Sequence, residues 1–284
     1  MKRVGFVVHE GRPSAVEAAA ALRAALEADG VVVVDLVTRT AAADLVVAVG
    51  GDGTFLRAAH LASDIGAPVL GVKVGRLGFL TETEPSVAAG LIAEALAGRA
   101  RIEERLAVVA EAESADPSGA SGPVPTFTPQ WGMNEIMVEK WARHRLVRLR
   151  VEVDGGYVTT FSADGVIVAT PTGSTAYSFS ARGPIVSPDV PCLVVTPIAA
   201  HMVFDRSFVL GASQVVTLEV VGDEPALISA DGRESIEVGV GTRIRIRPSN
   251  RPARFVRRDD GEPFLTRVRE KFGLPGDPSE DGEE

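Results

Sequence analysis

Cysteine is all but absent from this chain. Cys192 stands alone among 284 residues, so an internal disulfide is impossible and a thiolate metal cluster has no members to draw on. Lying in the apolar run CLVV, it reads as a buried small hydrophobe. Long apolar runs are missing too: none approaches the roughly 18 residues that a spanning helix requires, which argues against a membrane partner. The opening MKRVGFVVHEG has too short an apolar stretch for a signal peptide, and the expected compartment is the cytoplasm. Positive charge is in deficit, with 29 basic against 38 acidic residues and a net charge of −9, so the global balance does not ask for nucleic acid. Five of those negative charges sit in DPSEDGEE (277–284), which carries no base and is expected to be disordered. Two arginine-rich stretches, RLVRLR (145–150) and TRIRIR (242–247), alternate with apolar residues in the manner of strands with one wet face.

What is present is enough for a full core, 45% hydrophobic residues in a length that suits two domains or one large one. RVGFVV (3–8) predicts a strand; Pro13 opens an alanine-rich helix and Gly30 closes it. VVVVDLV and DLVVAVG predict buried strands, TFLRAAHLASDI a helix, PVLGVKVG a strand and PSVAAGLIAEALAG a helix. Helices alternating with unbroken apolar runs imply a parallel sheet covered on both faces. The pattern then changes. RIEERLAVVAEAE reads as one strand, SADPSGASGPVPTFTP (114–129) as a loop, and residues 131–258 as mostly alternating strands with a hairpin signal at Asp154-Gly155. PFLTRVREKFG is a last amphipathic stretch. The expected architecture is therefore α/β plus all-β: an α/β nucleotide-binding domain over 1–105, a strand-rich domain over 106–258, a helix over 259–274 packing back on the first domain, and an acidic tail over 275–284.

LVVAVGGDGTFLRAA (45–59) places a glycine turn where a buried strand meets a helix. In open α/β sheets that is where ligands bind, and the helix N-terminus with the N–H groups of Gly50, Gly51, Gly53 and Thr54 suits a phosphate. Neither common template fits: GxGxxG would need glycine where Leu56 stands, and the chain has no Gly-Lys pair for a P-loop. A carboxylate at Asp52 would repel phosphates unless a metal or a proton-acceptor role accounts for it, as phosphoryl transfer to a hydroxyl does. Taken alone, the loop fits an ordinary Gly-Asp-Gly turn equally well. A second stretch, ADGVIVATPTGSTAYSFSARGP (163–184), packs a strand, a hydroxyl-rich turn and a small-residue helix together, suited to a polyhydroxyl or phosphate-bearing ligand.

GGDGTFL, LGFLTE, MNEIMVEK, ADGVIVATPTGSTAYSFSARGPIVSP and TPIAAH occur in the order seen in NAD kinases, which the chain resembles from about residue 1 to 274. TPTGSTAY is the specific element, since GGDGT also resembles the nucleotide loop of lipid kinases and phosphofructokinases. The resemblance implies that ATP, or polyphosphate, phosphorylates the 2′-hydroxyl of the adenosine ribose of NAD to give NADP. A divalent ion, Mg²⁺ first among them, is the implied cofactor, with no ligands identifiable in the sequence, and the implied assembly is a homodimer or homotetramer. Asp52 matches the family's proton acceptor and, with Gly53, an NAD-contacting pair; Arg57 matches a basic contact. Asn134 and Glu135 match the pair that holds ribose and adenine. Asp164 matches the aspartate ahead of the long motif, and Thr175, Ala176, Tyr177, Ser178, Phe179 and Ser180 its NAD-contacting segment. Arg145, Ala199 and Arg233 fall at further contact positions. His201 follows TPIAA as a family histidine does and reads as structural.

Three positions depart from the family pattern: Lys73 where asparagine is usual, Arg182 where glycine is usual, and Ser162-Ala163 in place of an Arg-Gly pair. They leave donor choice and NAD against NADH preference open. The competing reading is a regulatory paralogue that binds NAD(H) without phosphorylating it; Asp52 argues against that, because a non-catalytic protein has little reason to keep a carboxylate in an anion loop.

Overall fold

The structure, a computed structural model, describes residues 2–36, 42–75, 78–113 and 127–275. Residues 276–284 of the expected acidic tail and 114–126 of the expected loop lie outside the described residues. The chain divides into two compact units, Met1–Glu104 with Ala253–Glu284, and Arg105–Pro252.

In the first unit, β1 (Arg3–Val8), α1 (Pro13–Ala28), β2 (Val32–Asp35), β3 (Leu45–Gly50), α2 (Asp52–Ile65), β4 (Val69–Lys73) and α3 (Pro85–Leu96) alternate as expected. β1 to β4 are parallel, in the order β2-β1-β3-β4. The all-apolar β3 is buried at every position, as a central strand covered on both faces must be. VVVVDLV, expected to be a buried strand, is instead the sheet edge, and β2 is half-buried with Asp35 exposed. Pro13 sits at the start of α1, where its missing N–H costs nothing, and Gly66 ends α2 in the left-handed conformation at φ 70°.

RIEERLAVVAEAE is not one strand. It breaks at Leu106-Ala107 into β5 (Arg101–Arg105) and β6 (Val108–Glu113), because its halves pair in different sheets. The second unit then holds β7 (Gln130–Gly132), β8 (Glu135–Lys140), β9 (Val147–Val153), β10 (Gly156–Ala163), β11 (Gly165–Ala169), a 3₁₀ turn (Thr172–Thr175), α4 (Tyr177–Ser180), β12 (Cys192–Ile198), β13 (Phe208–Gly211), β14 (Val216–Val221), β15 (Ala226–Ala230), β16 (Ile236–Val238) and β17 (Arg243–Pro248). They form two antiparallel sheets, β10-β9-β14-β17-β6-β7 and β13-β12-β11-β8-β15-β16. Alternate side chains from both sheets, among them Leu149, Val151, Leu218 and Ile244 from one and Ile136, Val166 and Leu193 from the other, make a single dry core. The hairpin signal holds: Asp154 and Gly155 both have positive φ, 51° and 80°, as the turn joining β9 to β10 requires. The arginine-rich stretches lie on the wet face of β9 and β17, where Arg243 reaches Glu152 at 2.6 Å and Glu219 at 3.3 Å, and Arg247 reaches Glu111 at 2.6 Å. Cys192 is buried, and burial pushes its thiol up.

The chain then returns to the first sheet. β18 (Ala253–Arg257), expected among the strands of the second domain, inserts between β4 and β5. Its alternating pattern predicts a strand but cannot say which sheet receives it. Phe255 of β18 meets Phe55 of α2 edge-on, with ring centroids 4.8 Å apart and both side chains fully buried, each contributing about 1.5–3 kcal/mol. α5 (Phe264–Phe272) follows and sets Phe264 and Phe272 around Phe79 of the same unit.

Candidate active site

β3 ends at Gly50 and α2 starts at Asp52, so the first N–H groups of the helix, up to that of Thr54, which donates to Gly51 O at 3.0 Å, emerge beyond the carboxyl end of the sheet. A cleft of about 480 Å³ opens there, lined by His9, Arg12, Gly51, Gly53, Thr54 and Arg57, with Glu10 as its carboxylate. Helix N–H groups and two guanidinium groups make this an anion site. His9 and Arg12 carry no motif in the sequence; only their place after the carboxyl end of β1, next to β3 in a parallel sheet, could have pointed to them. The Arg12 guanidinium is held by the carbonyl of Val74.

Asp52 does not line that cleft. Its carboxylate is turned onto the far side of the loop, where Phe79 N–H donates to Oδ2 at 2.8 Å and Leu80 N–H to Oδ1 at 3.0 Å. An ionised carboxylate has about four acceptor sites, so two N–H groups fix its direction without exhausting it. The turn approaches so closely that a Cβ on Gly78 would lie 2.1 Å from Asp52 Oδ1. LGFL thus has a physical reading: glycine because the carboxylate occupies the side chain's space, then two backbone donors. The acid in the anion loop is thus held by two backbone donors and stands outside the lining of the basic cleft. Lys73, the departure from asparagine, ends β4 opposite Gly50 and is tied to Glu84 at 2.9 Å.

In the second unit the Asn134-Glu135 pair begins β8 on a turn held from two directions. Asp231 accepts N–H bonds from Met133 (2.8 Å), Asn134 (2.7 Å) and Glu135 (3.0 Å), itself adopting φ 53° to do so. From the TPTGSTAY motif, Thr170 donates N–H to Asn134 O at 2.8 Å and its hydroxyl to Met133 O at 2.7 Å. Gly173 packs where a Cβ would stand 2.0 Å from Asn134 O. Glu135 is 6% exposed, and one carboxyl oxygen, Oε2, is buried without a hydrogen-bond partner. Burial first, and the nearby Asp231 second, push its carboxyl up to about 8. At neutral pH Glu135 is therefore a protonated acid able to donate as well as accept. Asp231 was not singled out by sequence reasoning, and SADGRE offers no signal beyond a turn.

Of the following segment, Ser178 is buried against Thr196, hydroxyl to hydroxyl at 3.1 Å, while Tyr177, Phe179 and Ser180 are exposed and Thr175 and Ala176 half-buried. Arg233 is exposed just after Asp231, its N–H bonded to Ala230 O. Arg145, Asp164 and Ala199 are not gathered with Asn134 and Glu135. β11 pairs Ala169 with Glu135 and Gly165 with Glu139, so Asp164, one residue further, lies at the opposite end of these strands, roughly 17 Å away at about 3.3 Å per residue. There it pairs with Lys140 and bonds Ile198 O, next to Ala199. Arg145 precedes Val147, the partner of Ala163, and so shares that end. His201, expected to be structural, has an exposed side chain and only its N–H bonded, to Ser162 O.

Arg182, where the resemblance leads one to expect glycine, follows Ala181, the C-cap of α4, at φ 67° with its side chain exposed. Left-handed backbone explains the usual glycine, since any Cβ there is strained.

A glycine loop at the carboxyl end of a parallel sheet, a basic cleft on one side of it and a fixed carboxylate on the other define a nucleotide-phosphate-binding α/β protein with an appended β unit. Two family models match the chain, the ATP-NAD kinase N-terminal domain over residues 37–100 and the ATP-NAD kinase C-terminal domain over 133–258. An NAD kinase of Rhodococcus erythropolis is 40% identical over 233 residues, 82% of this chain and 71% of that protein. One from Thermobifida fusca is 34% identical over 298 aligned positions, 96% of this chain and 90% of that protein. Among solved structures, an NAD kinase from Archaeoglobus fulgidus in complex with ATP matches with TM-score 0.71 and 27% identity, covering 96% of this chain and 97% of that one. Yeast NADH kinase complexed with NADH shares the fold at TM-score 0.82, with 24% identity and 98% and 89% coverage. The chain belongs to the NAD kinase family.

Proposed function

We propose that the protein transfers the γ-phosphoryl group of ATP to the 2′-hydroxyl of the adenosine ribose of NAD, making NADP. The observation that carries this reading is the division of labour at the β3–α2 loop: donors facing a basic cleft, and a carboxylate fixed on the other side by Phe79 and Leu80. In this reading the N–H groups of Gly51 and Gly53 and the Thr54 hydroxyl, with Arg12 and Arg57, bind the donor phosphates and offset charge on the transferring group. Asp52 accepts the hydroxyl proton as the oxygen attacks phosphorus, and ADP leaves. Asn134 and the neutral acid of Glu135 hold ribose and base, with Oε2 of Glu135 awaiting a partner. Thr175 to Ser180 and Arg233 extend that contact.

Among the described residues no group of three or more His, Cys, Asp or Glu is placed to hold a metal. Mg²⁺ binds through substrate phosphates and one or two carboxylates rather than a protein cage; Glu10 in the cleft and Asp52 in the loop are the carboxylates that would meet it. Bound there, the ion would neutralise phosphate charge.

The strand-length separation of Arg145, Asp164 and Ala199 from Asn134 and Glu135 supports homo-oligomer assembly, a neighbouring copy supplying the second group. Light scattering that finds a fully active monomer refutes this. We place the enzyme in the cytoplasm; no helix among the described residues is long and apolar enough to cross a membrane. The test of function is NADP formation from NAD, ATP and Mg²⁺, read by an NADP-dependent dehydrogenase, with NADH and polyphosphate as alternative substrates. Folded protein that binds NAD but forms no NADP would favour the regulatory reading.

A further inference from the structure

Phe79 and Leu80, whose N–H groups hold Asp52, are themselves held from behind. Arg267 of α5 donates Nη1 to Phe79 O at 3.2 Å, and Arg257 of β18 donates Nη1 to Leu80 O at 3.4 Å. Both arginines are buried, 8% and 5% exposed. The Phe79 carbonyl and the Leu80 N–H belong to one peptide group. A guanidinium therefore sits at one end of that group and the Asp52 carboxylate at the other, and each polarises the bond between them. Two glutamates balance the buried charge. Glu82 Oε2 lies 3.2 Å from Arg257 Nη1 and 3.1 Å from Arg267 Nη1, and Glu103 bonds Arg257 Nε at 2.7 Å.

A buried ion-pair cluster is weak evidence for stability, because well-packed apolar residues of the same volume often serve as well. What sets this cluster apart is where its donors go: to the carbonyls of the two residues that orient the loop carboxylate. Phe79 is further enclosed by Phe264 and Phe272 of α5, so one helix grips both backbone and side chain of the turn.

We infer that Arg257 and Arg267 are positioning residues for phosphoryl transfer, fixing the Phe79–Leu80 turn and, through it, the direction of the Asp52 carboxylate. This rests on the reading of Asp52 as proton acceptor. The arginines touch no substrate; they act on geometry at one remove, and a displacement of about 1 Å in a reacting group can cost up to roughly a hundredfold in rate.

Arg267→Met alone would leave Glu82 underpaired in the interior and could fail to fold, so the test uses the double variant Glu82→Gln with Arg267→Met. Its kcat should fall about ten- to a hundredfold, while KM for NAD and for ATP stays within about twofold, the signature of an interaction expressed only in the transition state. Arg267→Lys, which retains a donor, should recover most of the loss. Amide hydrogen exchange supplies a readout that mere destabilisation would not give: the Phe79 and Leu80 amides should exchange faster in the double variant, with those of β3 and β11 unchanged. A kcat within about twofold of the parent overturns the inference, as does a rise in exchange spread evenly over the unit. Asp52→Asn, assayed alongside, separates the two claims. If it abolishes turnover and the double variant keeps a kcat within about twofold of the parent, the proton-acceptor reading stands and the arginine inference falls. If Asp52→Asn leaves turnover intact, the proton-acceptor reading falls, and with it the catalytic role given to the arginines; faster exchange at Phe79 and Leu80 alone would then leave them holding the turn only.

Discussion

Replacing Glu135 by glutamine should remove most of the pH dependence of the second unit's stability. Below about pH 4.5 the carboxyl is protonated in both folded and unfolded chains and contributes no dependence. Between 4.5 and about 8 the folded unit keeps a proton that the unfolded chain releases, so stability falls as pH rises; above 8 both are ionised and the penalty is constant. At about 1.4 kcal/mol per unit of pKa, the full penalty reaches roughly 4–5 kcal/mol. Glutamine escapes it but leaves an amide group unpaired beside Asp231, at a cost of roughly 1–3 kcal/mol at every pH. The curves should therefore cross: the variant no more stable than the parent at pH 5, and more stable by roughly 2–3 kcal/mol at pH 8. Both tryptophans, Trp131 and Trp141, lie in the unit that holds Glu135, so urea unfolding followed by their fluorescence reads the right part of the chain. Unfolding curves for parent and variant that stay parallel from pH 5 to 8 would show that Glu135 is ionised in the folded protein, and the reasoning from burial fails.

Three substitutions probe the first unit and the departure from the family. Asp52→Asn should lower kcat by about 10²–10⁴-fold, with calorimetric NAD affinity within roughly tenfold of the parent; near-normal turnover would deny the proton-acceptor role. Gly78→Ala puts a methyl group 2.1 Å from Asp52 Oδ1, so the carboxylate must leave its donors and turnover should collapse as for Asp52→Asn; an active Gly78→Ala protein contradicts the clamp. Arg182→Gly relieves about 1–2 kcal/mol of left-handed strain and returns about 0.5–1 kcal/mol through the greater freedom of glycine in the unfolded chain. A melting temperature raised by a few degrees is expected, and a lowered one would mean that the Arg182 side chain holds something.

Local rules made much of this chain legible. Pro13 and Gly30 mark helix ends, the apolar run of β3 marks a buried strand, and Asp154-Gly155 marks a hairpin, because each depends on neighbours a few residues away. What escaped reading depends on partners far along the chain. Asp231 clamps a turn nearly a hundred residues earlier, and its local sequence is that of any exposed Asp-Gly turn. Arg257 looks like the end of an alternating strand and Arg267 like the polar face of an amphipathic helix, yet both are interior. β2 carries an apolar run like that of β3 but, among the described residues, has no strand beyond it. The motif residues Asp52, Asn134 and Glu135 were found by pattern, whereas the reason for Gly78 appears only when the carboxylate is seen in its place.

The insertion of β18 between β4 and β5 has a consequence for how the protein is made. A ribosome delivers β1 to β5 first, but β5 can join the sheet only through a strand synthesised almost 150 residues later. Throughout synthesis of the β-rich unit, the nascent first unit carries the Val69 end of β4 as an edge without its β18 partner, open to pairing with a neighbouring chain, while Thr83 bridges the Gly71–Lys73 end. Completion of the Phe79–Leu80 turn waits for the same event, since Arg257 and Arg267 emerge last. A chain interrupted before residue 253 lacks both guanidinium groups that hold the Phe79 and Leu80 carbonyls, so the backing of the turn that carries the Asp52 donors is the last part of the first unit to be made.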